Sequence, residues 1–344
     1  MAERLLEVDD LKVSFVTEEG IVRAVDGVSF DLDQGEMLAV VGESGCGKSV
    51  TAMTMLGLTR GPNSRIEGSV RYRGTELIEA SDADLRRVRG DQIAMIFQDP
   101  MSSFNPVQKI GDQIVEAIRV HHEIDKDEAR QRAIEALDAV GIPRAEKRFR
   151  SYPHEYSGGM RQRAMIAMAL SLEPAILIAD EPSTALDVTI QAQILRLLEE
   201  LNRDRDLAVI LITHDLGVVA EVPERVLVMY AGRVVEQGTL DEIFYDPQHP
   251  YTWGLLGSLT RLDRPRPERL PQIRGLPPSL LSPPEGCHFR PRCPHAHERC
   301  KQVPRLEARL PEASAHLDRC WLSPEQKRSL REVEGRIGLE APTV

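Results

Sequence analysis

Aromatic residues are scarce in this chain, 4% of 344 residues, and basic residues are outnumbered, 43 Lys and Arg against 54 Asp and Glu. No stretch approaches the roughly 18 to 20 consecutive apolar residues that span a bilayer. The opening segment MAERLLEVDD carries acidic residues where a secretory leader has a basic region followed by an apolar run. Together these absences argue against a membrane-embedded or exported chain, and a cytoplasmic setting is expected. A formal net charge of −11 argues against a broad grip on nucleic acid, because that grip comes from Lys and Arg neutralising phosphates. No nucleic-acid partner is expected. What is present, 42% hydrophobic and 28% charged residues, is the balance of a folded, water-soluble protein. The length accommodates one large domain and an appendage of less than about 100 residues.

Hydropathy patterning divides the chain. Up to about residue 35, alternating apolar positions (Leu11, Val13, Phe15, then Val25, Val28, Phe30) predict antiparallel strands. Met37–Val41 is wholly apolar, as in a buried parallel strand. Between about 100 and 170 the period becomes helical, through Ile114, Ala117, Ile118 and then Ala133, Ile134, Leu137, Val140. Two further buried-strand runs, Ala175–Ala179 and Leu207–Ile212, flank a helix expected over about 190–202. Beyond about 247 the composition shifts: 11 of the 23 prolines lie between Pro265 and Pro311, which rules out long helices and central strands there. The expected domains are therefore 1–250, with a helical subdomain at about 100–170, and a Pro- and Cys-rich extension at 251–344.

The most specific motif is Gly42-Glu-Ser-Gly-Cys-Gly-Lys-Ser49, set between an apolar strand and a helical stretch beginning at Val50. Its glycines (Gly42, Gly45, Gly47) let backbone N–H groups of the loop, including those of Ser44 and Cys46, turn toward phosphates at a helix N-terminus. Lys48 has the reach to touch the β and γ phosphates, and the Ser49 hydroxyl suits magnesium. Cys46 is expected to contribute only its backbone. A second half-site is Ile176-Leu-Ile-Ala-Asp180-Glu181, an apolar strand ending in two carboxylates at the sheet edge where ligands bind. Asp180 suits magnesium, directly or through water, and Glu181 suits the general base that activates water.

These residues resemble the ATP-binding-cassette family over about residues 5–260. The resemblance implies an α/β P-loop NTPase domain of the RecA-like kind, with an antiparallel β-subdomain and a helical subdomain. It implies that Gln98, in Ile96-Phe-Gln-Asp-Pro100, reaches magnesium and water and carries motion to a membrane partner. Ser157-Gly158-Gly159-Met160-Arg-Gln162 resembles the signature that closes over the γ phosphate held by the opposite subunit. A Ser and two glycines opening a helix also make a backbone anion site in their own right. Asp187 resembles the residue of the loop joining two subunits, His214 the switch histidine, and Phe15 the aromatic that stacks on adenine, although a core role for Phe15 is as consistent with its pattern. Met160 stands where many members have Gln, a variant that occurs in the peptide-importer branch. One set of motifs per chain implies a pair of ATPase subunits, a heterodimer being favoured. It also implies two transmembrane permease subunits, an extracytoplasmic peptide-binding protein, and placement on the cytoplasmic face of the membrane.

Four of the five cysteines, Cys287, Cys293, Cys300 and Cys320, fall in the extension with spacing C-x5-C-x6-C-x19-C. In a cytosolic setting such a group reads as a metal site before it reads as disulfides. No C-x2-C pair is present, so a zinc ribbon is disfavoured and a [4Fe-4S] cluster is the leading expectation. Zinc with help from His288, His295 or His297, and free or paired thiols, are the alternatives. Nearby Arg290, Arg292 and Arg299 read either as partners of a negatively charged cluster or as an exposed basic face. The extension resembles that of the oligopeptide and dipeptide importers. The function expected is an ATP-hydrolysing motor for peptide uptake using ATP and Mg2+. Uptake of nickel or another solute, and a soluble ABC ATPase outside transport, are the alternatives.

Overall fold

A computed structural model describes residues 3–99, 103–182, 187–220, 222–259, 273–308 and 315–333. In chain order the elements are β1 (Arg4–Thr17), β2 (Gly20–Asp33), β3 (Met37–Val41), α1 (Lys48–Met55), β4 (Ser64–Tyr72), β5 (Thr75–Glu76), α2 (Asp82–Val88), β6 (Ile93–Ile96), α3 (Ile110–His121), α4 (Lys126–Ala139), α5 (Gly158–Leu170) and β7 (Ile176–Asp180). They continue with α6 (Val188–Arg205), β8 (Ala208–Thr213), β9 (Arg225–Tyr230), β10 (Arg233–Thr239), α7 (Leu240–Tyr245), α8 (Pro250–Gly257), β11 (Glu307–Ala308), β12 (Leu317–Asp318) and α9 (Pro324–Val333), with single helical turns in between. Backbone contacts divide the chain into two compact units. One comprises the residues up to Leu6, Leu32–Met37 and Tyr72–Ile212; the other comprises Glu7–Asp31, Leu38–Arg71 and the chain from Thr213 onward.

In the first unit β6, β7 and β8 run parallel, with Ile93 opposite Ile176 and Ile176 opposite Ala208. Every residue of β7 and β8 is buried, which is why these strands read as unbroken apolar runs rather than alternating ones. The helices of this unit carry the 3.6-residue period of the sequence. Helix α3 buries Ile110, Ile114, Val115 and Ile118, and α4 buries Ala129, Ala133 and Leu137. The Asp125 carboxylate starts α4 by accepting from the N–H groups of Asp127 and Glu128. Each fully buried Leu or Ile contributes on the order of 1.5–3 kcal/mol, so this apolar stripe, more than intrinsic propensity, holds the helices.

In the second unit β3 pairs in parallel with β9, Leu38 opposite Arg225 and Val41 opposite Val228. Strand β9 pairs antiparallel with β10, β10 with β12, and β12 with β11. The β9–β10 hairpin went unread in the sequence. The core of the unit joins Val41, Val228, Tyr230, Phe244, Tyr251 and Phe289. The Pro-rich extension thus shares a core with the phosphate-binding strand. As its prolines predict, its described part between residues 273 and 308 holds only short 3-10 turns and a two-residue strand. No helix among the described residues is long and apolar enough to cross a membrane.

Candidate nucleotide site and cysteine cavity

The phosphate loop follows directly from buried β3 and runs into α1. Gly47 occupies the N-cap of α1 with φ +104, and a Cβ there would stand 2.3 Å from the Ala24 carbonyl oxygen, so only glycine fits. Lys48 is 5% exposed, and its ammonium donates to the Gly42 carbonyl at 2.7 Å and the Glu43 carbonyl at 3.2 Å, which holds its charge across the mouth of the loop. Ser44 and Gly45 are exposed, while Ser49 and Val50 are half-buried at the start of α1. The N–H groups of this first turn have no partners within the helix, and with Lys48 they form a compact anion receptor. Cys46 is buried, and burial raises its thiol above the usual range, in keeping with a backbone role. In the same unit Phe15 is half-buried on β1, and His214 follows β8 as an exposed residue.

In the other unit β7 delivers Asp180, 5% exposed, at its C-terminal end. Glu181 then takes a left-handed backbone, φ 48, with its N–H donating to the Ile212 carbonyl at 2.9 Å. A left-handed non-glycine residue costs on the order of 1–3 kcal/mol, and such strain clusters at working sites. The Gln98 amide, two residues beyond β6, donates to the Glu181 carboxylate at 2.8 Å. Two expected catalytic residues, 83 positions apart in sequence, therefore meet.

The signature segment behaves as its composition predicts. The Ser157 hydroxyl accepts from the Met160 N–H at 3.3 Å and caps α5, whose first turn holds Gly158 and Gly159. Asp187 caps α6, accepting from the Ile190 N–H at 3.0 Å. Residues 183–186, which connect it to Pro182, lie outside the described residues.

Cys287, Cys293, Cys300 and Cys320 all line one small cavity of about 10 Å³, together with His249, Phe289, His295 and Trp321. All four are free thiols, so no disulfide links them. Burial, reinforced by the neighbouring cysteines, pushes the Cys293 thiol up to about 12. Burial likewise takes Cys320 to about 12 and raises Cys287. Gly286 turns the chain into the cavity with φ +78, and a Cβ there would stand 2.3 Å from the Cys300 carbonyl oxygen. Among the described residues no group of three or more His, Cys, Asp and Glu could hold a metal ion. The four cysteines share a cavity, and nothing else among the described residues bears on the expected cluster.

One of the flanking arginines, Arg292, does not belong to an exposed basic face, whereas Arg299 is exposed. The Arg292 side chain is 5% exposed and paired with Glu43, and the Arg299 guanidinium stacks 3.9 Å from the centre of the Trp321 ring. The Glu43 link escaped sequence reasoning, because Glu43 occupies a variable position of the loop motif and its partner lies 249 residues away. Glu236 was missed as well. Its fully buried carboxylate accepts from the Gln248 and His249 N–H groups, the Thr252 hydroxyl and the His316 ring.

A strand, glycine loop and helix that seat a buried lysine, with a second strand ending in paired carboxylates, define an ATP-binding cassette. Residues 25–184 match the ABC transporter family. A dimeric post-hydrolysis structure of the ATP-binding cassette MJ0796, bound to ADP and Pi, superposes with a TM-score of 0.62 at 27% identity, covering 68% of this chain and 98% of the other.

Residues 235–300 match the C-terminal region of oligopeptide/dipeptide transporters. The dipeptide transport ATP-binding protein DppD of Bacillus subtilis is 52% identical over 94% of this chain and 96% of its own. The oligopeptide transport ATP-binding protein OppD of Salmonella typhimurium is 53% identical over 90% and 92%. The chain belongs to the ATP-binding subunits of the oligopeptide/dipeptide ABC transporter family, and it is an ATPase of that class.

Proposed function

We propose that this chain is the motor of an importer of short peptides, binding MgATP and hydrolysing it to drive uptake through a membrane permease. The observation that carries the reading is the Gln98–Glu181 hydrogen bond, which fixes the orientation of a carboxylate beside the strand-end Asp180. In the roles the family gives these residues, Lys48 and the first turn of α1 take the phosphates of ATP. Ser49, Gln98 and Asp180 serve the magnesium ion that accompanies it. Glu181 accepts a proton from water as the water oxygen bonds to the γ phosphorus and the bond to the β–γ bridging oxygen breaks, leaving ADP and phosphate. His214 contacts the γ phosphate, and Phe15 stacks on adenine.

The signature residues Ser157, Gly158 and Gly159 serve the nucleotide of a second ATPase subunit, with Asp187 in the joining loop. We favour a similar rather than identical subunit in that place, docked with two permease subunits on the cytoplasmic face and fed by an extracytoplasmic peptide-binding protein. The domain reading, 1–250 for the cassette and 251–344 for the extension, belongs to this proposal. So does a [4Fe-4S] cluster held by Cys287, Cys293, Cys300 and Cys320. What supports this reading is that all four thiols line one cavity. Bound there, the cluster would tie four distant points of the extension together, and its charge would stabilise thiolates that burial otherwise keeps protonated.

The test is Glu181→Gln, which keeps shape and removes basicity. ATP binding is expected to persist while turnover falls by on the order of 10²–10⁴-fold. Normal turnover in that variant would overturn the assignment. Iron and acid-labile sulfide, measured after purification without oxygen, are expected at about four each per chain; one zinc or no metal would remove the cluster.

A further inference from the structure

We propose that Arg292, a residue of the Cys-rich extension, is a positioning residue for the phosphate loop, acting through Glu43 together with Tyr251. Its guanidinium grips the Glu43 carboxylate with both arms, at 2.6 and 3.0 Å. It is itself held by the Arg274 carbonyl at 3.0 Å, the Ile273 carbonyl at 3.3 Å and the Tyr230 hydroxyl at 3.3 Å. The Tyr251 hydroxyl accepts the Glu43 N–H at 2.9 Å, and Lys48 donates to the Glu43 carbonyl at 3.2 Å. Every polar group of Glu43 is therefore occupied. The Cys46 N–H also donates to the Glu43 carbonyl, at 3.3 Å, so two of the four partners of Glu43, Arg292 and Tyr251, come from residues that follow the cassette in sequence.

Glu43 is the second residue of the loop, next to Gly42, whose carbonyl also accepts from Lys48. A carboxylate held bidentately in a half-buried setting fixes both the position and the rotation of the backbone it hangs from. Releasing it frees the arc of the loop that seats Lys48. Loop geometry matters because phosphate binding depends on N–H groups converging within a few tenths of an ångström. Arg292 closes the 3-10 turn Arg290–Arg292 and immediately precedes Cys293, while the Cys293 N–H donates to the Phe289 carbonyl at 3.0 Å. Phe289 packs edge-to-face against Tyr230 and at a tilt against Tyr251, with ring centroids 5.2 and 5.4 Å apart. The turn that aims Arg292 is thus flanked by two of the cavity cysteines, Cys287 and Cys293, and a shift of that turn is transmitted to the phosphate loop. The link joins the extension to nucleotide affinity without any contact between the extension and the nucleotide.

The proposal rests on the phosphate loop binding ATP, and the experiment separates the two ideas. Binding of MgATP to the full chain is measured at equilibrium with a fluorescent ATP analogue for the wild type, Arg292→Ala, Arg292→Lys, Glu43→Gln and the double variant Arg292→Ala/Glu43→Gln. Arg292→Ala is expected to weaken binding about 10-fold, and Arg292→Lys less, because lysine keeps the charge but not the fork. Glu43→Gln is expected to weaken binding comparably, and the double variant no more than the worse single one, as two residues acting through one contact require. In turnover the loss is expected to fall on KM rather than kcat. Unchanged affinity in both folded single variants, or losses that simply add, would overturn the proposal. A wild-type chain that fails to bind MgATP would overturn instead the functional reading on which it stands.

Discussion

The phosphate loop and the cysteine-lined extension lie in one compact unit, yet they are ordered by opposite means. The loop is built by backbone: a strand with every residue buried, glycines where no Cβ fits, and a helix N-terminus. The extension has little regular structure to contribute and is built by side chains instead. Thr252 and His316 of the extension join Gln248 and His249 in donating to Glu236 of β10, Lys327 meets Asp318 at 2.7 Å with both nearly inaccessible, and four cysteines face one cavity. A backbone-built site concentrates its chemistry in one or two side chains and leaves its stability to the sheet. A side-chain-built segment does the reverse, so that single substitutions within it are felt first as stability.

The largest expected effect breaks the second half of that contrast. Glu236→Ala strips the acceptor from four buried donors, and the expected loss is on the order of 3–5 kcal/mol, a large part of a typical domain's total stability. Urea denaturation of the full chain checks it; a loss below about 1 kcal/mol would mean that the extension is not held by this carboxylate. Next in size, Lys48→Ala should change stability little and weaken MgATP binding about 100-fold, because the phosphates lose their cationic partner. Equal damage to stability and binding would erase the distinction between the two regions.

A matched pair of glycines sharpens it further. Gly47→Ala and Gly286→Ala place a Cβ 2.3 Å from a backbone carbonyl oxygen in each case. Each is expected to cost roughly 1–3 kcal/mol of stability. Their functional signatures should differ: the first loses nucleotide binding, and the second, under the proposed cluster reading, loses iron uptake in anaerobic reconstitution.

The same contrast explains what was legible in the sequence. The motif around Lys48, the Asp180–Glu181 strand end and the Ser157 cap are local patterns, readable because spacing along the chain dictates spacing in space. Strands β7 and β8 and the helices α3 to α6 followed from periodicity and burial. The β9–β10 hairpin was not read, although its strands are nearly all buried, because no chemistry-bearing motif drew attention to it. The Arg292–Glu43 and His316–Glu236 pairs are separated by 249 and 80 residues, and nothing local to either partner announces the other. Arg292 in particular reads as a surface base among several, until the fold places it against a carboxylate.

The smallest expected effect concerns the charge within the Glu236 node. Burial would lower the affinity of His316 for a proton, but the hydrogen bond and charge of Glu236 outweigh it and hold the imidazole above its usual range. A histidine whose folded-state pKa is raised binds more protons folded than unfolded. Its stabilisation is fully present below about pH 6.5, the unfolded value, and is lost as pH rises through the folded value. The stability difference between the wild type and His316→Gln should therefore be larger at about pH 6 than at about pH 9. Since Gln still donates a hydrogen bond, a difference that stays flat with pH would assign the contribution of His316 to shape and hydrogen bonding alone. A difference that shrinks with rising pH would assign part of it to an ion pair, and the extension would then be held by charge as well as by the number of its hydrogen bonds.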